Sequence, residues 1–107
     1  MGKEIEMAVY RPKKGKQVEF SKLIRAHFLV LRKAGLVTAR RPIVVQSRNG
    51  IYVEIFEWKS KAAASKAHKN PVVAKIWERM AAIGNFETLQ ALDEAGKPFP
   101  HFSLVGR

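Results

Sequence analysis

The side chains with chemistry to offer gather between Tyr52 and Met80. This stretch holds both tryptophans, Trp58 and Trp77, one of the three histidines, His68, and three of the nine acids. Glu54 and Glu57 alternate with apolar neighbours, so each needs a partner if it is buried. Arg41 or Arg48 could supply one, and the pair would then be structural. A Glu57 left unpaired, its pKa raised by burial, would instead serve as a general base. Trp58 and Trp77 fit a flat aromatic pocket or plain core. Upstream, His27 interrupts an apolar helical stripe. It reads either as a core histidine with one hydrogen-bond partner or as a polar group aimed into a pocket beneath the helix.

Several chemistries are absent from the sequence. There is no glycine-rich phosphate loop, no HExxH or similar metal spacing and no G-x-S-x-G elbow. No cysteine occurs, so disulfides, thiolate nucleophiles and thiolate metal sites are excluded. His27, His68 and His101 are too dispersed to suggest a metal set. The reading therefore calls for no metal and no cofactor.

The elements that must position these residues follow from periodicity. Residues 4–10 alternate, with Ile5, Met7 and Val9 on one face and Glu4, Glu6, Ala8 and Tyr10 on the other, as in a half-buried strand. Pro12 and Gly15 close it. From Lys16 to Ala34 the spacing becomes helical: Phe20, Leu23, Ile24, His27, Phe28 and Leu31 share one face, and Gly35 stands at the C′ position. Leu36 to Ser47 reads as extended, strongest at Ile43-Val44-Val45. Asn49-Gly50 between two β-rich runs predicts a two-residue type I′ turn. That turn places Val45 opposite Glu54, and puts Val44 on the face of Val53 and Ile55. Both faces of this hairpin are apolar, so both require a cover.

Ser60 opens a second helix, Asn70-Pro71 interrupts and restarts it, and Gly84 ends it. A fourth strand is expected over Phe86 to Ala91, followed by an extended tail from Asp93. The two helical segments cover one sheet face only. A second copy of the sheet is the simplest cover for the other, which predicts a homodimer.

At 107 residues the chain is one domain, with a core over about residues 4–92 and a tail over 93–107. No apolar run approaches the roughly 18 residues of a membrane span, and no signal-peptide pattern opens the chain. A soluble, cytoplasmic protein without a membrane partner is expected. The net charge of +11 is concentrated between Arg11 and Arg48, where Glu19 is the single acid. Such a field draws acidic small molecules, anionic head groups or polyanions, or serves solubility alone.

The order β-α-β-β-α-β is the split arrangement of ferredoxin-like α+β folds with an antiparallel sheet. Together with Ile55-Phe56-Glu57-Trp58-Lys59-Ser60, Ala67-His68 and the broken helix Asn70-Pro71-Val72-Val73 to Trp77, it resembles the dimeric α/β-barrel superfamily. Within that superfamily it is similar to the antibiotic-biosynthesis-monooxygenase-like (ABM-like) proteins. The resemblance implies two sheets closing into a barrel at a dimer interface, and a cavity between helices and sheet in each subunit. Some members oxygenate polycyclic phenols without metal or flavin, and others degrade haem. The haem-degrading branch carries a first-strand asparagine that Met7-Ala8-Val9-Tyr10 lacks, and a downstream histidine that is missing here until His101.

His68 falls where many members carry a histidine or tryptophan. The resemblance makes it the catalytic candidate, orienting an acidic or phenolic ligand or shuttling a proton. Its alternative is a hydrogen bonder that holds the helix break. His27, Glu57 and Trp77 are the candidate ligand-binding residues. The first functional reading is thus a small-molecule-binding homodimer, in its catalytic form a cofactor-independent monooxygenase on an aromatic or phenolic ligand. The alternatives are a basic ferredoxin-like nucleic-acid-binding module and a non-catalytic dimeric scaffold. The first strand offers such a module only Tyr10 for base stacking.

Overall fold

A computed structural model describes residues 2–106 of the chain. Strand β1 (Glu4–Pro12) leads into α1 (Gln17–Lys33). The hairpin of β2 (Ile43–Gln46) and β3 (Tyr52–Trp58) follows, then α2 (Lys61–Ala67), α3 (Pro71–Ile83), β4 (Gly84–Glu87) and a short β5 (Ser103–Leu104). The strands form one antiparallel sheet in the order β4-β1-β3-β2-β5. This α+β arrangement is compatible with the ferredoxin-like expectation, with β5 added at one edge. Among the described residues no helix is long and apolar enough to cross a membrane.

The helix signals operate as their chemistry requires. Ser60 accepts from the Ala63 backbone N–H, and the Asn70 side chain accepts from those of Val72 and Val73. Pro71 then occupies the first turn, where its missing N–H costs nothing. Gly35 takes φ +75° just past α1, the left-handed conformation a C′ residue needs. The stripe on α1 buries Phe20, Leu23, Ile24, His27 and Leu31.

Which sheet face meets the helices is decided by Ala8 and Tyr10 on β1 and by Tyr52, Phe56 and Trp58 on β3. These pack with Phe20, Leu31, Val73, Ile76 and Met80 in two adjoining core clusters. Val9, Ile51 and Val53 lie on the far face, where Leu92 and Phe102 of the tail cover them.

The hairpin departs from the expected register. Val44 pairs with Glu54 and Val45 with Val53, and Ser47 N–H donates to the Ile51 carbonyl. Three residues, Arg48-Asn49-Gly50, therefore form the loop, and only Gly50 takes a positive φ, +85°. The one-residue shift exchanges the faces of β2 alone. Val44 joins the helix-side core, while Ile43 and Val45 move to the far side.

The cause is tertiary. Buried Glu94 accepts from the Ser47 hydroxyl at 2.7 Å and the Arg48 N–H at 2.9 Å, and Asn49 Nδ2 donates to the Ala91 carbonyl at 3.0 Å. These hydrogen bonds hold the Glu94 carboxyl below its ordinary range, the Arg48 N–H most of all and then the Ser47 hydroxyl.

The end of α3 is also a correction. Gly84 is extended (φ −164°) rather than left-handed, and it is the first residue of β4. Glycine is needed there for space: a Cβ would run into the Phe20 ring, whose Cδ2 would lie 2.8 Å away. The fourth strand consequently begins two residues earlier than expected and stops at Glu87, and Leu89–Ala91 form a 3₁₀ turn instead of continuing it. Gly84→Ala should overpack this junction and destabilise the protein by about 1–3 kcal/mol. A lower urea midpoint at unchanged slope would report it.

Candidate functional site

Beneath α1 and α3 a polar chain crosses the helix–sheet interface. His27 projects from α1 with 2% exposure and meets Glu54 of β3, which has none. Its Nδ1 lies 2.9 Å from Glu54 Oε1 and 3.1 Å from Oε2. Tyr10 of β1 donates its hydroxyl to the same Oε1 at 2.7 Å. On the opposite side of the imidazole, Trp77 of α3 donates its indole N–H to Nε2 at 3.0 Å.

This geometry assigns the histidine tautomer. An indole N–H can only donate, so Nε2 must present its lone pair and the ring proton resides on Nδ1. That proton is donated to Glu54. His27 is therefore a neutral connector whose basic nitrogen is occupied by Trp77. Burial pushes the Tyr10 phenol well above its ordinary value, helped by the charge on Glu54 and the hydrogen bond donated to it.

The far side of Trp77 faces a cavity of about 360 Å³ between β1, β3 and the α2–α3 break. Phe56, Trp58, Trp77 and Phe86 give it aromatic walls. Phe56 and Trp58 meet edge to face at 5.1 Å, and Glu6 fixes Trp58 by accepting its indole N–H at 2.8 Å. His68 lines the mouth, exposed, with its ring 5.0 Å from that of Trp77.

His68 makes no side-chain hydrogen bond among the described residues, and Asn70 itself caps the helix restart. Holding the break is thus the work of Asn70. His27 matches its description as a hydrogen-bonded core histidine, with both ring nitrogens engaged, and it is also among the residues that line the cavity. Trp58 and Trp77 likewise serve the core and the cavity wall together.

Glu57 stands apart from this group. Strand alternation turns it to the other sheet face, where it accepts from Thr38 Oγ1 at 2.8 Å and Arg40 Nε at 3.1 Å. The Thr38 hydroxyl first and then Arg40 lower its pKa, the opposite of the raised value that a general base needs. Its partner is Arg40, where Arg41 or Arg48 was expected.

Of the polar residues not singled out as site members, Glu54 binds His27 and Tyr10 in turn binds Glu54. Their position on the Ala8-Tyr10 and Glu54-Phe56-Trp58 faces was the available signal. Among the described residues no group of three His, Asp or Glu is placed to hold a metal ion.

No protein-family model matches the sequence, and no curated protein matches it.

Tyr10→Phe removes one donor from buried Glu54 and should cost about 1–2 kcal/mol. It should also alter the alkaline limb. A phenol whose pKa is raised by folding stabilises the native state fully below the ordinary value of 10.0, and that contribution is lost as pH rises beyond it. Urea midpoints measured between pH 8 and 11 should fall less steeply in Tyr10→Phe than in the parent. Parallel curves would remove Tyr10 from this role.

Proposed function

We propose that the chain is a small-molecule-binding homodimer whose cavity takes a flat aromatic or phenolic ligand. The observation that carries this reading is the cavity beside Trp77. Its volume falls within the range of small-ligand pockets, roughly 300–1,000 Å³. Its walls are aromatic, and its mouth presents the imidazole of His68, which has no competing partner among the described residues.

A ring inserted between Trp58 and Trp77 would find offset and edge-on neighbours, while a phenolic hydroxyl directed outward would meet His68. His68 is then the base that accepts the phenolic proton, because the Nε2 of His27 already receives the Trp77 indole N–H. The likeness to ABM-like proteins extends this to oxygenation. The electron-rich phenolate would reduce dioxygen directly, one oxygen atom forming a ring carbonyl and the other leaving as water with the two displaced hydrogens. Glu57, on the other side of the sheet, takes no part in this reading.

The dimer rests on the far sheet face. Met7, Ile55 and Ile43 stand side by side in register on three neighbouring strands, and Ile5 continues the surface. Ile5 is 57%, Met7 47% and Ile43 51% exposed, while the tail covers their neighbours Val9 and Val53 on the same face. This row is aliphatic and flat, which suits a second copy of the same sheet. The same composition argues against the RNA-binding alternative, since the free faces of β1 and β3 carry no aromatic ring for base stacking.

Two measurements test the proposal. A panel of naphthols and hydroxyanthracenes should quench Trp58 and Trp77 fluorescence saturably, and Trp77→Leu should weaken binding at least tenfold. In an oxygen electrode, turnover of any bound phenol should fall by roughly 10²-fold or more in His68→Ala. Binding without dioxygen uptake would leave a binding module and remove the oxygenase. Sedimentation should give twice the 12.1 kDa chain mass, reduced to a single chain by Met7→Lys with Ile43→Lys. A parent that sediments as a monomer overturns the dimer.

A further inference from the structure

A second concavity, of about 730 Å³, lies on the other side of Glu54, between α1 and the β2–β5 edge of the sheet. Its α1 wall starts from the edge of the core at Ile24 and Phe28 and extends outward to Ser21, Arg25 and Leu29. These five residues fall at i, i+3, i+4, i+7 and i+8, so they form one continuous helical stripe that overlaps the buried one. The opposite wall is Val44 of β2 with Leu104 and Val105 of the tail, held there by the Val105 N–H donating to the Val44 carbonyl at 2.9 Å. The groove is therefore apolar along both sides. Leu29 remains 62% and Leu104 76% exposed on its flanks.

Its charged groups are unlike those of the aromatic cavity. Arg25 of α1 and Arg41, two residues before β2, both line the groove, and neither forms a salt bridge among the described residues. Three cations of the basic half are matched, Arg11 with Glu87, Lys16 with Glu19 and Arg40 with Glu57; Arg25 and Arg41 differ from the other unpaired ones in lining an apolar groove. The one acid in the lining, Glu54, is fully buried and already accepts from Tyr10 and His27. It is not available to either arginine as a surface partner.

We propose that this groove binds an amphiphilic carboxylic acid, with its carboxylate between Arg25 and Arg41 and its apolar body along Ile24, Phe28, Val44 and Val105. Guanidinium groups suit a carboxylate because their paired N–H donors match its two oxygens. The apolar walls distinguish this ligand from inorganic anions and from nucleic acid, which would leave Phe28 and Leu29 without an apolar partner. The site shares no ligand-contacting residue with the aromatic cavity, and it stands or falls independently of the oxygenase reading.

The test compares octanoate with octanamide, which has the same chain without the charge, by amide chemical shifts of the full-length protein. Octanoate should shift residues of the groove saturably, around Ile24, Phe28, Val44 and Val105. Octanamide should bind about tenfold more weakly, the scale of a bidentate charge-assisted contact at a partly exposed site. Arg25→Gln with Arg41→Gln should remove that preference. Arg25→Lys with Arg41→Lys, which keeps the charge and loses the paired donors, should retain part of it, which separates lost charge from lost folding. His68→Ala should leave octanoate binding unchanged.

Equal binding of acid and amide, shifts confined to the aromatic cavity, or full affinity in the glutamine double variant would each overturn the proposal. So would a response to anionic phosphatidylglycerol vesicles without one to free octanoate, which would mean a membrane surface rather than a ligand groove.

Discussion

A carboxylate cut off from water sits at the centre of the molecule. Glu54 is on the middle strand of the sheet, and an ion in that position is tolerable only if its oxygens are satisfied. The donors come from two other elements, Tyr10 on β1 and His27 on α1, and Trp77 on α3 completes the chain. Each hydrogen bond to a buried charged group contributes about 1.5–3 kcal/mol in other proteins, an appreciable part of a small domain's stability. The packing of both long helices on the sheet is thereby tied to a single side chain. It also sets the orientation of Trp77, whose indole must point its N–H at His27 and so turns its other flank toward His68 and the aromatic cavity.

Much of this was legible in the residues. Short-range rules are satisfied within a few positions, so Ser60, Asn70-Pro71 and Gly35 act as written, and the stripe from Phe20 to Leu31 is buried almost as spaced. The α+β order and the two-sided apolar hairpin follow from the same kind of information. The pairing of Trp58 with Trp77 around one cavity was also within reach, because strand alternation and helical periodicity point both inward.

What escaped local reasoning was decided by residues far away in sequence. Asn49-Gly50 on its own favours a two-residue turn, but the Glu94 carboxylate 46 positions ahead of Arg48 captures the loop and selects three. Once the register moved by one, the faces of Ile43, Val44 and Val45 moved with it. Gly84 carries the ordinary mark of a helix stop, yet its role is to leave room for Phe20, which no window around position 84 contains. Glu54 and Glu57 look alike in sequence and differ by an odd number of positions. That parity sends one to the core with His27 and the other to Thr38 and Arg40.

The junction of α3 with β4 has a mechanical meaning. Ile83 is the last helical residue and Gly84 the first of the strand, so no residue lies between them to absorb a change. The angular phase of the helix is geared to the strand's pairing with β1, where Gly84 is matched to Pro12. Each residue advances a helix by about 100°, so inserting or deleting one before Gly84 would rotate the Trp77 indole about a quarter-turn or more away from His27. Two elements without slack thus act as a ruler for the aromatic wall. Connections such as the 13–16 loop, the 39–42 bend and the tail have residues between elements that this junction lacks.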